Sequence, residues 1–154
     1  MEVKELGHIV LYVHNLERSR YFYETVLGWH AITPEGYARR ACAFSSTNGR
    51  THHELLLLEV GEDAPPVRHG HRAGLYHFGL KVGETDAELI EAIQRCQEYN
   101  VTIVGASDHT VTHSLYIEDP DGNEIELYID VQPAIWHDEP MAVLSPTKPL
   151  RLQA

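Results

Sequence analysis

Eleven histidines stand against twelve lysines and arginines in this chain. Imidazole is the commonest metal ligand and the side chain that exchanges protons near neutral pH. Two of the histidines hold matching places. His8 lies in the alternating run 6–13, where Ile9, Leu11 and Val13 share one face and His8, Val10 and Tyr12 the other. His77 lies likewise in the run 75–82, opposite Phe78, Leu80 and Val82 and beside Gly79 and Lys81. A carboxylate, Glu126, sits between Ile125 and Leu127 in the run that follows the turn Asp119-Pro120-Asp121-Gly122-Asn123. Two neutral imidazoles and one carboxylate converging from three strands form a set that binds Fe(II) on one face and leaves coordination positions open. Read singly, each has another account: a core histidine satisfied by a hydrogen bond, or a solvated glutamate. The symmetric placement of His8 and His77, together with the carboxylate, favours the ligand set.

Those three residues need a scaffold, and the chain supplies it twice. After the first run, Asn15 caps a helix carrying Phe22/Val26 and Tyr23/Leu27 as i, i+4 pairs, and Gly28 stops it. Strands are expected at 29–33, 37–46 and 52–60, with Asn48-Gly49 as a hairpin turn. Residues 61–74 form an aperiodic loop containing His69 and His71, which are read as solvated. The order then repeats. Thr85 and Glu88 make a capping box that opens a helix with Leu89, Ile93 and Cys96 on one stripe, ended by Asn100. Strands are expected at 101–104, 113–118 and 124–129. The pattern is βαβββ twice, an α+β arrangement. Each helix packs on the apolar face of its own sheet, and the opposite faces are left to line a shared cavity. Residues 131–154 depart from the repeat and hold four of the eight prolines. They read as an extended tail that packs on the surface, covers the cavity mouth or reaches a partner subunit.

Composition bounds the function classes. A formal net charge of −11 argues against nucleic acid or an anionic membrane as partner. The unbroken apolar stretches, such as 55–58, are far too short to span a bilayer. The beginning Met-Glu-Val-Lys-Glu has no signal-peptide pattern, and Cys42 and Cys96 form no disulfide framework. The expectation is a cytoplasmic protein of one domain, 1–130, with modules at 5–60 and 74–130.

The double βαβββ order resembles the vicinal-oxygen-chelate superfamily. So do Gly7-His8-Ile9-Val10-Leu11, Asn15-Leu16-Glu17-Arg18-Ser19 with Phe22-Tyr23 and Leu27-Gly28, Tyr76-His77-Phe78, and Asp119-Pro120-Asp121-Gly122-Asn123-Glu124-Ile125-Glu126. That superfamily includes glyoxalase I, bleomycin-resistance proteins, fosfomycin-resistance enzymes and type I extradiol dioxygenases. The resemblance covers 5–130 and implies a curved mixed sheet, an incomplete barrel, around a metal site with the helices outside. A glyoxalase I-like site would want a fourth ligand, often Glu, from the strand at 52–60. Alignment on Gly49 and Gly122 puts His53 at the place of Glu126; alignment on the first strands puts Leu57 there. Glu54 falls one residue off, on the opposite face.

Extradiol dioxygenases instead carry an acid–base histidine in this region, and His52-His53 resembles that pair, with His53 in the role. They also resemble this chain in having a tyrosine ten residues before the ligand glutamate, here Tyr116, and a histidine before that strand, here His109. Both would contact bound substrate and oxygen. The resemblance thus implies an Fe(II) enzyme, Mn(II) being possible, that cleaves a catechol-type diol with O2 in aromatic-hydrocarbon catabolism. His8, His77 and Glu126 would hold the metal. Either His53 or Tyr116 would assist loss of the diol proton. Val10, Tyr12, Tyr37 and Phe44 are the expected pocket wall. A glyoxalase I-like lyase or isomerase using Ni, Zn or Co is the alternative, and a non-catalytic drug-binding protein of the same fold is a third reading. The retained histidines count against the third. Superfamily members often assemble as homo-oligomers, and the same is expected here.

Overall fold

The computed structural model describes residues 1–46 and 51–152, so the expected Asn48-Gly49 turn lies outside the described residues. The chain forms two compact units, Met1–Arg68 and His69–Ala154. Among the described residues, no helix is long and apolar enough to cross a membrane.

The first unit runs β1 (Ile9–Val13), α1 (Leu16–Tyr21), a π-helical turn (Phe22–Val26), β2 (His30–Ala31), β3 (Ala41–Ser45) and β4 (Leu55–Glu59). Its sheet has the order β1-β4-β3-β2, with β1 parallel to β4 and the other pairs antiparallel. Asn15 caps α1 by accepting the Arg18 N–H at 3.0 Å. A second anchor is Glu59, which accepts the Leu16 N–H at 2.9 Å and the Arg40 Nε–H at 2.6 Å. The Leu16 bond first, then Arg40, holds its carboxyl below the usual range. The helix widens after Tyr21, where Leu27 N–H reaches back to Phe22 O at 2.9 Å. The wider turn lets Phe22, Tyr23 and Val26 all be buried. Gly28 ends it at φ +72.

The core of this unit corrects one expectation. Phe44 is fully buried and packs on Tyr23 and Trp29, at ring-centroid distances of 5.9 and 6.3 Å. It pairs with Leu55 on the face that β3 and β4 turn to the helix, so it is core and not pocket wall. Phe44→Ala is therefore expected to destabilise the fold by about 3–5 kcal/mol, read as a lower denaturant midpoint. An unchanged midpoint would count against this placement.

The second unit runs β5 (His77–Gly83), α2 (Asp86–Glu98), β6 (Ile103–Asp108), β7 (Thr112–Glu118), β8 (Glu124–Asp130) and α3 (Pro133–Asp138). Its sheet order is β5-β8-β7-β6, again with one parallel pair, β5 and β8. The Thr85–Glu88 capping box forms as expected. Leu89 and Cys96 are buried in this unit, as are Phe78, Leu115, Ile117, Ile125, Leu127 and Ile129 of its strands. Asn100 leaves α2 at φ +55 and Val101 N–H still bonds Cys96 O. That helical ending delays β6 to Ile103, where a strand at 101–104 was expected. The turn before β8 is built on buried Asp119, whose carboxylate accepts from the Asp121 and Asn123 backbone N–H groups, with Gly122 at φ +86. The tail is not simply extended. Pro133 opens α3, a 3-10 turn spans Pro140–Leu144, and Lys148 then pairs by backbone with Asp108. The two mixed sheets, neither closed on itself, make an α+β architecture.

Candidate metal and substrate site

In the second unit, strand alternation places the candidate side chains together. On β8, buried Ile125, Leu127 and Ile129 alternate with Glu124, Glu126 and Tyr128. On β7, buried Leu115 and Ile117 flank Tyr116. Tyr116 is paired directly with Glu126 across the antiparallel ladder, while β5 pairs His77 with Glu124 and Gly79 with Glu126. The side chains then meet. His77 Nε2 lies 3.4 Å from Glu126 Oε2, and the Tyr116 hydroxyl donates to Glu126 Oε1 at 3.3 Å. His109 Nε2 contacts that hydroxyl at 2.6 Å. When the single hydroxyl proton is directed to Glu126, the imidazole tautomer with a proton on Nε2 completes this contact as donor.

His109 is held by the β6–β7 turn. Its N–H bonds Thr112 O at 2.9 Å, and Thr110 N–H bonds Asp108 Oδ1 at 2.6 Å. Thr110 has φ +74, a left-handed conformation that β-branched residues rarely adopt. Burial, then the Glu126 charge, pushes the Tyr116 phenol far above its ordinary value. It therefore stays protonated and serves as a donor.

In the first unit, His8 immediately precedes β1 and is exposed. Its ring lies 4.4 Å from that of His53 and 5.7 Å from that of His52, centroid to centroid. The Nδ1 atoms of His52 and His53 are 2.5 Å apart. Burial, then the neighbouring imidazoles His52 and His8, pushes the His53 ring below its ordinary value.

The pairing of β1 with β4 revises the sequence alignment. Val10 pairs with Leu56 as Gly79 pairs with Glu126, so Leu56, not His53 or Leu57, is the counterpart of Glu126. His52 and His53 lie ahead of β4, not on it. Glu54 continues the ladder by bonding Phe44 O and Ile9 N–H, each at 2.9 Å. By alternation it shares the face of Leu56, the reverse of the expected face, and its carboxylate accepts the Ser46 N–H at 2.5 Å. Val10 and Tyr12 lie opposite buried Leu11 and are exposed. Tyr37 is exposed in a turn closed by its N–H on Pro34 O at 3.3 Å.

The residues present fit a divalent metal by several observations. The donors are imidazole nitrogens and a carboxylate. In the second unit the His77 Nε2 atom and the Glu126 carboxylate stand side by side, 3.4 Å apart. At Gly79, a Cβ would meet the Tyr128 ring at 3.2 Å and Glu126 Oε2 at 3.6 Å, so glycine keeps the flank of that carboxylate open. Among the described residues of either unit, no three His, Cys, Asp or Glu side chains form a ready-made metal-holding group.

One member of the second-unit cluster was not singled out from the sequence. Glu124 faces His77, and its spacing of two residues from Glu126 was the available signal. His113 pairs with Asp86 at 2.6 Å. It lines a cavity of about 570 Å³ with Asp108 and Lys148, and none of the candidate residues borders that cavity.

The profile of the Glyoxalase/Bleomycin resistance protein/Dioxygenase superfamily matches residues 5–127. The chain is 33% identical over 135 residues to a catechol-2,3-dioxygenase of Bacillus subtilis, covering 88% of this chain and 45% of that protein. It therefore spans about half the length of that relative. It is also 32% identical over 123 residues to a lactoylglutathione lyase of Neisseria meningitidis, covering 79% of this chain and 87% of the lyase. Among solved structures, a glyoxalase/dioxygenase from Nostoc punctiforme matches with a TM-score of 0.69 at 25% identity, covering 82% of this chain and 91% of that one.

Proposed function

The chain belongs to the Glyoxalase/Bleomycin resistance protein/Dioxygenase superfamily, and on that premise we propose that it is an Fe(II)-dependent extradiol dioxygenase of catechol-type diols. The observation that carries this reading is the line His109–Tyr116–Glu126–His77, in which an imidazole and a phenol stand beside a carboxylate–imidazole pair. An aromatic diol presents oxygens that such donors bind and orient.

The ligands proposed for the metal are His8, His77 and Glu126. Bound Fe(II) would supply the Lewis acidity that lowers the diol pKa and the electrons that make dioxygen reactive. Tyr116 and His109 contact the substrate oxygens and fix the ring, the Tyr116 hydroxyl exchanging its bond to Glu126 for one to the substrate. His53, neutral and close to His8, takes the diol proton and returns it as the O–O bond breaks. Both oxygen atoms enter the product, the carbon–carbon bond beside the diol opens, and no external reductant is needed. Mn(II) in place of iron, a homo-oligomeric state and a cytoplasmic setting belong to the same reading.

The lyase reading draws on the Neisseria relative. Against it stands Leu56, an apolar side chain at the counterpart of Glu126, where a fourth carboxylate ligand would be wanted.

The test is anaerobic loading with Fe(II), followed by simple, aryl-substituted and bicyclic catechols and then air. Oxygen uptake equal to diol consumed, with a yellow product, is expected. Absence of both across the series would sink the proposal. Formation of lactoylglutathione by Ni- or Zn-loaded protein without oxygen uptake would put the lyase reading in its place.

A further inference from the structure

The His77 ring lies between two carboxylates of one neighbouring strand. Parallel pairing sets His77 against Glu124 and Gly79 against Glu126, and alternation sends both carboxylates to the face that His77 occupies. His77 Nε2 is 3.4 Å from Glu126 Oε2, and Nδ1 is 3.4 Å from Glu124 Oε1. Nδ1 is buried, yet the present ring orientation gives it no hydrogen bond. Glu124 is itself mostly covered, its side chain 23% exposed, and its charge raises the neighbouring Tyr76 phenol above its ordinary value. A carboxylate has lone pairs enough to accept from His77.

A neutral imidazole carries one proton. A histidine that ligates through Nε2 must keep that proton on Nδ1, and it needs an acceptor there to hold the ring and its tautomer. We propose that Glu124 is the positioning residue for His77, accepting the Nδ1–H so that Nε2 stays unprotonated on the side of Glu126. The inference rests on the reading of His77 as a metal ligand. It assigns Glu124 no contact with metal or substrate: Glu124 acts through the ring it orients. A small rotation of His77 closes the 3.4 Å approach into a hydrogen bond.

Two measurements on the full chain test this, neither of them activity. The first is the ring-nitrogen NMR spectrum of metal-free protein labelled at histidine, with the His77 signals assigned from His77→Ala. Wild type should show the Nδ1–H tautomer. Glu124→Ala should shift His77 toward Nε2–H, because Glu126 is then the remaining carboxylate acceptor. Glu124→Gln should retain Nδ1–H, because its amide oxygen still accepts. The second is Zn(II) affinity by calorimetry. Glu124→Ala should weaken it by roughly 10–100-fold, with Glu124→Gln within a few-fold of wild type. Thermal melting establishes that each variant is folded, and the conservative Gln variant keeps the comparison usable if Ala unfolds.

A wild-type His77 with its proton on Nε2 overturns the proposal. So does a folded Glu124→Ala with unchanged tautomer and unchanged Zn(II) affinity. If His77→Ala abolishes Zn(II) binding while Glu124→Ala does not weaken it, the positioning role alone fails. If His77→Ala leaves Zn(II) binding intact, the ligand reading fails and takes this inference with it.

Discussion

Replacement of His77 by Ala is expected to remove Fe(II) and oxygen uptake together. The loss of turnover should be about 1,000-fold or more, equivalent to roughly 4 kcal/mol of barrier. His77 is the imidazole closest to Glu126 in the second unit, and its removal leaves that carboxylate with the Tyr116 hydroxyl alone of the contacts described here. A carboxylate by itself is a poor holder for a borderline metal, which is the physical ground for a joint loss. The fold should survive. His77 lies on the sheet face opposite buried Phe78, so its truncation opens no core cavity. Iron per chain, oxygen-electrode rates and a thermal melt on the same preparation check all three statements. A variant that keeps one iron per chain would count against His77 as a ligand.

Replacement of His53 by Ala should behave differently. Iron should stay, and turnover should fall by about 100- to 10,000-fold, the range for losing a positioned acid–base group. His53 stacks beside His8 at 4.4 Å and presents a buried Nε2 that no protein group satisfies in the described structure. That is the condition of a ring waiting for substrate more than of one fixed in a structural network. Diol binding should change less than turnover, because in the proposed reading His53 acts on the proton and Tyr116 and His109 hold the oxygens. If His53→Ala loses iron as completely as His77→Ala, His53 is a ligand and the acid–base role is wrong.

The path from sequence to site was legible where the physics is local. The Thr85–Glu88 capping box, the Asn15 cap, the turn on Asp119 and the alternation of β8 all depend on residues within a few positions of one another. The superfamily and the α+β architecture, twice βαβββ, followed from those local signals in sequence order. Alternation alone also put Glu126 opposite Ile125 and Leu127, and His77 opposite Phe78.

What depended on pairing between distant segments was not legible. Whether His53, Leu57 or Leu56 is the counterpart of Glu126 is a matter of how β4 lies against β1, and the ladder chose Leu56. A one-residue difference in register exchanges the two faces of a strand, which is why Glu54 was assigned the wrong one. Phe44 alternates as a pocket residue would; only its packing on Tyr23 and Trp29 makes it core. The approach of His109 to Tyr116 needed the left-handed Thr110 in the β6–β7 turn, which a threonine does not announce. The sequence by itself therefore determined the elements, their order and the residue types offered for chemistry, because short-range sterics and periodicity decide those. Only the tertiary structure decided which of these side chains touch, that the Tyr116 hydroxyl reaches Glu126, and that Glu124 lies beside His77. Contact, burial and charge separation are properties of paired strands, and no single stretch of chain contains them.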